Sequence, residues 1–124
     1  MVTWGDEKLG GEISLEANEI LKKKKVQHVY STGLALCVLT EDGGVVTWGD
    51  EYCGGEISLE ANKKLKKKKV QHVYSTRYAF CVVTEDGEVV TWGDEDYGGK
   101  ISPEANEKLK RKKVRHVYST DFAF

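Results

Sequence analysis

The sequence consists of one unit of 44 residues that is written almost three times. Trp4, Trp48 and Trp92 stand 44 positions apart, and three histidines and three tyrosines keep the same spacing. The first two copies agree at 34 of 44 positions, and the third agrees with the second at 27 of its 36. A period in this range is typical of propellers, solenoids and other arrays, in which each unit buries its apolar face against the next. The pattern therefore predicts one repeat domain.

The predicted domain spans residues 1–124, with repeats 1–44, 45–88 and 89–124, the last one incomplete. The copies begin at the last strand of a hairpin, and the sequence stops at Phe124, inside the preceding strand. The two ends would leave open strand edges, which invite pairing with another chain. We therefore expect self-association, or that these residues form part of a longer array.

Three runs within a unit are rich in β-branched and aromatic residues, which favours strands. They are Val70–Ser75, Ala79–Thr84 and the run 88–92. Asp86 and Gly87 separate the last two runs, and this dipeptide predicts a hairpin with a type I′ turn, whose two central residues have positive φ. The three strands should form an antiparallel meander.

A short helix is predicted between Ser58 and Lys69. Ser58 is a favoured N-cap, and its counterpart Ser102 precedes Pro103, which suits the first helical position. Ala61 and Leu65 are four residues apart and form a thin apolar stripe, so the helix should pack on one side only. The unit is thus β-β-β-α, and the fold class is a mainly β repeat protein, either propeller-like or an open array of three-stranded meanders.

Residues 70–99 resemble the repeat of the regulator of chromosome condensation family. The positions that fall on the family pattern are Val70, Val73, Thr84, Asp86, Gly87, Trp92, Gly93 and Gly98. Thr76 stands where the family usually has glycine, Ala79 where it usually has histidine, and the helical segment replaces a short outer strand. The resemblance implies a propeller-type repeat that acts as a binding platform. The exchange activity of the founding member is not carried over, because it depends on loops outside the repeat core.

Basic runs recur once in each copy and are the candidate anion-binding residues. They are Lys22, Lys23, Lys24, Lys25, Lys66, Lys67, Lys68, Lys69, Lys110, Arg111, Lys112 and Lys113. Stacked copies would align them into a stripe able to bind nucleic acid, an anionic membrane surface or an acidic protein. The alternative is a solvated helix end, neutralised by the acidic hairpins at 41–42 and 85–86. This alternative is favoured, and nucleic acid stays the second hypothesis.

The other residues that could take part in catalysis or metal binding are expected to have structural roles. The acids after each Trp-Gly lack the full spacing of a calcium loop. The three histidines have no second ligand at metal spacing, and the cysteines have no neighbouring base, which a nucleophile would need. The tryptophans alternate with valine and should pack in the core. No catalytic residue, metal or cofactor is predicted, so we do not expect an enzyme.

The copies differ mainly in loops that should lie at the end of the sheet opposite the basic runs. These candidate partner-binding residues are Lys8, Leu9, Gly33, Leu34, Tyr52, Cys53, Arg77, Tyr78, Asp96, Tyr97, Asp121 and Phe122. Variable loops on a fixed scaffold are where binding specificity usually resides. The sequence therefore predicts a non-catalytic scaffold for protein–protein interaction or self-assembly. Reduced thiols, the lack of an apolar run of membrane-spanning length and the lack of a signal peptide favour the cytoplasm or nucleus.

Overall fold

A computed structural model describes residues 2–110 and 112–124. The first sheet contains β1 (Val26–Ser31), β2 (Ala35–Thr40) and β3 (Val45–Gly49), and the second contains β4 (Val70–Ser75), β5 (Ala79–Thr84) and β6 (Val89–Gly93). The helices are α1 (Leu15–Lys22), α2 (Leu59–Leu65) and α3 (Pro103–Leu109). Single 3-10 turns stand at Glu7–Leu9, Glu51–Cys53 and Glu95–Tyr97. Both sheets are antiparallel in chain order, each is followed by a helix, and the array is open, which confirms the predicted β-β-β-α unit.

The helices α2 and α3 begin at the predicted serine caps, Ser58 and Ser102, and Ser14 caps α1 in the same way. In α2 the Ser58 hydroxyl accepts a hydrogen bond from the Ala61 N–H at 3.2 Å, and Ala61 is the buried residue of the helix. The prediction of a helix reaching Lys69 is wrong, because α2 ends at Leu65. The Val70 N–H bonds to the Gly43 carbonyl of the preceding hairpin at 2.9 Å, so the lysines before it are needed to lead the chain into β4.

The hairpin between β5 and β6 differs from the predicted type I′ turn. Gly87 has a φ of +85°, but every non-glycine residue of the described ranges has a negative φ, and this includes Asp86. The Gly87 N–H bonds to the Thr84 carbonyl and the Thr84 N–H to the Glu88 carbonyl, both at 2.9 Å. This pattern is a type I turn followed by a left-handed glycine, which needs positive φ at one position only. The Thr84 hydroxyl also accepts from the Glu88 N–H at 3.1 Å.

The central strand of each sheet is buried on both faces. One face of the first sheet, with Cys37 and Leu39, packs against Phe80 and Trp92 of the second sheet. The opposite face packs against α1, where Trp48 joins the same cluster as Ala17, Val38 and Val46. Because β5 is covered from both sides, all six of its residues are buried. This explains why the central strands are continuous apolar runs instead of alternating ones.

The third copy and the first tryptophan lack this cover. Residues 114–119 repeat the sequence pattern of β4 but form no strand, because only Ala123 and Phe124, the equivalents of the first two residues of β5, are available to pair with them. Trp4 is 85% exposed, whereas Trp48 and Trp92 are 2% and 0% exposed. The prediction that the tryptophans are core residues is therefore correct for two of them. No helix within the described ranges is long and apolar enough to cross a membrane.

Candidate protein-binding surface

Main-chain hydrogen bonds join the loop after the first strand of one copy to the same loop of the next. The Gly33 N–H donates to the Arg77 carbonyl at 2.7 Å, and the Arg77 N–H donates to the Asp121 carbonyl at 2.8 Å. The Ser75 hydroxyl makes a parallel bond to the Ser31 carbonyl at 2.8 Å. These bonds repeat with the 44-residue period and fix the loops of neighbouring copies side by side.

Threonine hydroxyls tie these loops to the 3-10 turns. The Thr76 hydroxyl donates to the Tyr97 carbonyl at 2.8 Å, and the Asp94 N–H donates to the Tyr78 carbonyl at 3.0 Å. Thr32 makes the equivalent bond to the Cys53 carbonyl at 3.1 Å. The threonine that replaces the glycine of the family pattern thus has a structural role, which sequence reasoning missed. Its recurrence in every copy was the signal that could have identified it.

Three aromatic rings from different loops form a cluster at this end of the sheets. Tyr78 and Tyr97 have ring centroids 4.9 Å apart, and Phe122 lies 5.5 Å from Tyr97 and 6.4 Å from Tyr78. The Arg77 guanidinium carbon is 6.0 Å from the centre of the Tyr78 ring. Phe122 is 50% exposed and both tyrosines are partly exposed, so the cluster forms an apolar patch on the surface.

The corresponding positions one copy earlier have a different character. Leu34 stands in the place of Tyr78, and Cys53, which is buried, stands in the place of Tyr97. Leu9 is 40% and Tyr52 74% exposed. The three-ring cluster is thus confined to the later part of the array, whereas the earlier part combines Leu9 and Leu34 with the single exposed ring of Tyr52. We call the whole set the variable-loop surface: Lys8, Leu9, Gly33, Leu34, Tyr52, Cys53, Arg77, Tyr78, Asp96, Tyr97, Asp121 and Phe122.

Acidic side chains dominate the turns that carry this surface. The segments 5–13, 49–57 and 93–101 contain nine carboxylates and two lysines. Asp6, Asp50 and Asp94 each cap a 3-10 turn by accepting a main-chain N–H at 2.9 Å, which gives them a structural role. Within residues 2–110 and 112–124, no group of three His, Cys, Asp or Glu side chains is placed to hold a metal ion.

The carboxylates of these turns are not neutralised by neighbouring cations. All ion pairs between described residues involve a lysine of the basic runs, and none involves a side chain of the three acidic segments. A hydrogen bond with Glu12, and the charge of Glu12, raise the pKa of Glu7. Like charges therefore crowd one another at this end of the molecule.

The lysine end of the sheets shows the opposite arrangement. The Lys24 ammonium lies 2.8 Å from Asp42, and the equivalent Lys68 lies 2.8 Å from Asp86 and also contacts Glu88. Hydrogen bonds from these lysines, and from the neighbouring threonine hydroxyls, lower the pKa of Asp42 and of Asp86 to about 2. The same contacts, first with Asp86 and then with Glu88, raise the pKa of Lys68.

The other members of the basic runs are distributed along helix ends and connections. Lys22 and Lys110 pair with acids three residues before them, Glu19 and Glu107. The remaining candidates, Lys23, Lys25, Lys66, Lys67, Lys69, Lys112 and Lys113, are exposed. Arg111 lies outside the described residues. An open cleft of about 480 Å³ separates the second sheet from the third copy. Its lining contains several lysines of the basic runs as well as Asp86 and Glu88, which pair with Lys68.

The thiols of Cys37 and Cys81 and the imidazoles of His28 and His72 lie outside the variable-loop surface. Cys37 and Cys81 are buried in the second strand of each sheet, and burial raises the pKa of Cys81 to about 12. Burial also raises the pKa of Cys37. His28 and His72 are exposed. Their ring centroids lie 6.0 and 6.2 Å from those of Tyr30 and Tyr74, each in the same strand as the histidine. These geometries are those of core thiols and of solvated strand residues.

Comparison with known families supports the repeat pattern. The family profile described as the regulator of chromosome condensation (RCC1) repeat matches residues 70–98, which contain β4, β5, β6 and the following 3-10 turn. No curated protein matches the chain. The matched unit recurs in the first sheet with the same strand order and register. Residues 70–98 are thus similar to an RCC1-type repeat, and in this chain a helix stands between successive sheets.

Proposed function

We propose that this protein is a non-catalytic repeat scaffold that binds another protein through its variable-loop surface. Repeats of the RCC1 type generally mediate protein interaction, which supports the class of function. The observation that supports the site is the aromatic cluster of Tyr78, Tyr97 and Phe122, because its rings come from loops at which the copies differ. Exposed clustered aromatic residues are enriched where proteins bind one another.

The scaffold beneath this surface favours specific binding. Arg77 is bonded through its main chain to Asp121, and the Thr76 hydroxyl fixes the turn that carries Tyr97. Loops held in this way lose little conformational entropy when a partner binds. The variable side chains are thereby presented on a frame that the repeat keeps constant.

A loop exchange tests the proposal. The triple variant Tyr78→Leu, Tyr97→Cys and Phe122→Leu replaces each ring with the residue that an earlier copy has at that position, which is Leu34 for Tyr78 and Phe122 and Cys53 for Tyr97. Proteins captured by the immobilised chain are compared between this variant and the native sequence by quantitative mass spectrometry. We expect loss of the specifically captured proteins, because the exchange removes the aromatic cluster and leaves the frame intact.

A matched exchange outside the surface serves as the control. Lys63→Glu on the exposed face of α2 also replaces a residue with that of another copy, since Glu19 and Glu107 occupy the equivalent positions. This control should capture the same proteins as the native chain. Equal capture by the triple variant would overturn the proposal, provided that circular dichroism shows both variants folded.

Self-association is a second candidate, and the exposure of Trp4 favours it. The equivalent Trp48 and Trp92 are buried by a hairpin and by the preceding glycine turn. A second copy of the chain, or a further repeat of the same chain, would cover Trp4 in that way. Sedimentation velocity combined with tryptophan fluorescence tests this candidate, since association through Trp4 would shift the emission to shorter wavelength as the concentration rises.

Binding of nucleic acid or an anionic surface through the basic runs remains a prediction from the sequence. The pairing of Lys24 with Asp42 and of Lys68 with Asp86 reduces the positive charge available for it. Binding of this kind would weaken steeply as salt is added.

A further inference from the structure

We propose that the part of the variable-loop surface formed by Arg77, Tyr78, Tyr97 and Phe122 binds a basic segment of its partner, one in which arginine or lysine alternates with aliphatic residues. This inference rests on the proposed function and names the chemistry of the partner. It is carried by the exposed aromatic cluster together with the charge distribution of the two ends of the molecule.

The three exposed carboxylates beside the aromatic cluster outnumber the one cation of the site, Arg77, and therefore favour a cationic partner. Glu95, Asp96 and Asp121 are exposed beside the cluster, and none of them forms an ion pair with another described residue. At the opposite end Asp42 and Asp86 are paired with lysines of their own copy. The chain thus pairs Asp42 and Asp86 with lysines at one end, whereas Glu95, Asp96 and Asp121 form no ion pair with a described residue at the other. Complementary charge of this kind determines which partner is accepted and accelerates association.

The aromatic rings provide the matching apolar contact. A guanidinium or ammonium group within about 6 Å of an aromatic ring is attracted by the ring face. The chain's own Arg77 already occupies such a position, 6.0 Å from the centre of the Tyr78 ring. The exposed parts of Tyr97 and Phe122 are free of such an internal cation among the described residues, and they remain available to the side chains of a partner.

The first sheet shows what the cluster adds. Leu34 and Cys53 occupy the positions of Tyr78 and Tyr97 there, while the neighbouring acidic turn is nearly the same. The acids recur in every copy, whereas the three-ring cluster does not, because Tyr52 supplies a single exposed ring beside Cys53. The end with the cluster should therefore bind the basic segment more tightly than the end with Leu34 and Cys53, although both carry similar negative charge.

Fluorescence anisotropy with a defined peptide tests the inference. The probe is a fluorescein-labelled peptide of repeating arginine, glycine and leucine, and its counterpart has glutamate in place of arginine. We expect the basic probe to bind and the acidic one to give no signal. The Tyr97→Cys and Phe122→Leu variants should each weaken binding by about tenfold, the usual effect of removing an aromatic hot spot. The double variant Asp96→Asn and Asp121→Asn should weaken it severalfold and reduce its dependence on salt.

Matched variants distinguish the inferred site from nonspecific binding of the peptide. Tyr118→Ala removes an aromatic residue that is 82% exposed but lies in the segment 114–119, outside the variable-loop surface, and should leave the affinity unchanged. Equal affinity of the native chain and the Tyr97→Cys and Phe122→Leu variants would overturn the inference, as would equal binding of the acidic probe. Self-association that is lost in the same variants would also overturn it, because the occupant would then be a second copy of this chain.

The inference and the proposed function can fail independently. If the triple loop exchange abolishes capture of proteins but the basic probe does not bind the native chain, the variable-loop surface remains the binding site and the partner chemistry is wrong. If replacing the aromatic residues changes neither the capture of proteins nor the binding of the basic probe, both proposals are wrong.

Discussion

The indole N–H of Trp92 donates a hydrogen bond to the carbonyl oxygen of Gly54 at 3.2 Å, across 38 residues of sequence. Trp48 makes the same bond to Gly10 at 3.1 Å. Each bond joins the last strand of a sheet to the glycine turn before the helix that leads into that sheet. Each tryptophan is almost fully buried there. The bond therefore links successive copies of the repeat.

Replacing Trp92 with Phe should destabilise the protein by about 2 kcal/mol, because the change leaves the Gly54 carbonyl without its partner and opens space in the core. Urea denaturation followed by circular dichroism measures the effect. Trp4→Phe is the matched control, since Trp4 is 85% exposed and its replacement should change stability by less than about 0.5 kcal/mol. Equal effects of the two substitutions would contradict the role assigned to the buried bond.

The Thr76 hydroxyl should contribute to stability through its bond to the Tyr97 carbonyl. Thr76→Val keeps the shape of the side chain and removes this donor, so we expect a loss of about 1–2 kcal/mol. Thr120→Val is the control, because Thr120 is exposed and its hydroxyl accepts a bond only from the neighbouring Phe122 N–H. If both changes cost the same, the hydroxyl of Thr76 does not fix the turn.

Acid should weaken the lysine end of the sheets. The hydrogen bond from Lys68 and that from Thr84 lower the pKa of Asp86 from 3.8 to about 2. The folded state therefore holds this proton less tightly than the unfolded state, and the resulting stabilisation is present above pH 3.8 and lost as the pH falls through about 2. Asp86→Asn should flatten the fall of Tm over that interval. An unchanged pH profile would show that the pair contributes nothing measurable, and added salt should reduce the native effect.

Glycine at the turn before α2 should be indispensable. A Cβ on Gly54, whose φ is +105°, would lie 2.5 Å from the Phe80 ring, whereas Gly5 has a φ of +119° and nothing within 4 Å of such a Cβ. Gly5→Ala should therefore cost only the backbone strain of about 1 kcal/mol, and Gly54→Ala should cost about 1–3 kcal/mol more through overpacking. Thermal unfolding of both variants measures the loss of stability from backbone strain alone and from strain combined with overpacking. Similar losses would mean that the Phe80 ring moves aside without penalty.

The thiols should be unreactive in the native protein. Burial raises the pKa of Cys81 to about 12 and that of Cys37 as well, so the thiolate fraction near neutral pH is minute. Burial also raises the pKa of Cys53, with smaller contributions from the charges of Asp50 and Asp94. Reaction with an aromatic disulfide reagent should be slow until denaturant exposes the thiols. Rapid modification of Cys37 or Cys81 in the folded protein would contradict their burial.

Much of the fold follows from the repeat alone. The serine caps, the order of three strands and a helix, and the one-sided packing of Ala61 all follow from local residue preferences. The end of α2 and the geometry of the turn at Gly87 did not follow, because both depend on where neighbouring backbone groups find hydrogen-bond partners. The loop positions of the candidate surface were identifiable as differences between copies. The contact of Tyr97 with Phe122 was not, since it joins two copies in space.

Local sequence specifies the unit and its period, because hydrophobic pattern, capping residues and turn residues act over a few positions. Which copies of an identical residue are buried depends on the packing of the whole chain. Trp4 and Trp48 stand in the same local sequence, Thr-Trp-Gly-Asp-Glu, yet one is exposed and the other is enclosed by a hairpin and a helix. The pattern of β4 recurs at 114–119 without forming a strand. Burial and strand pairing are properties of a residue's neighbours in space, and those neighbours are supplied by other copies of the repeat.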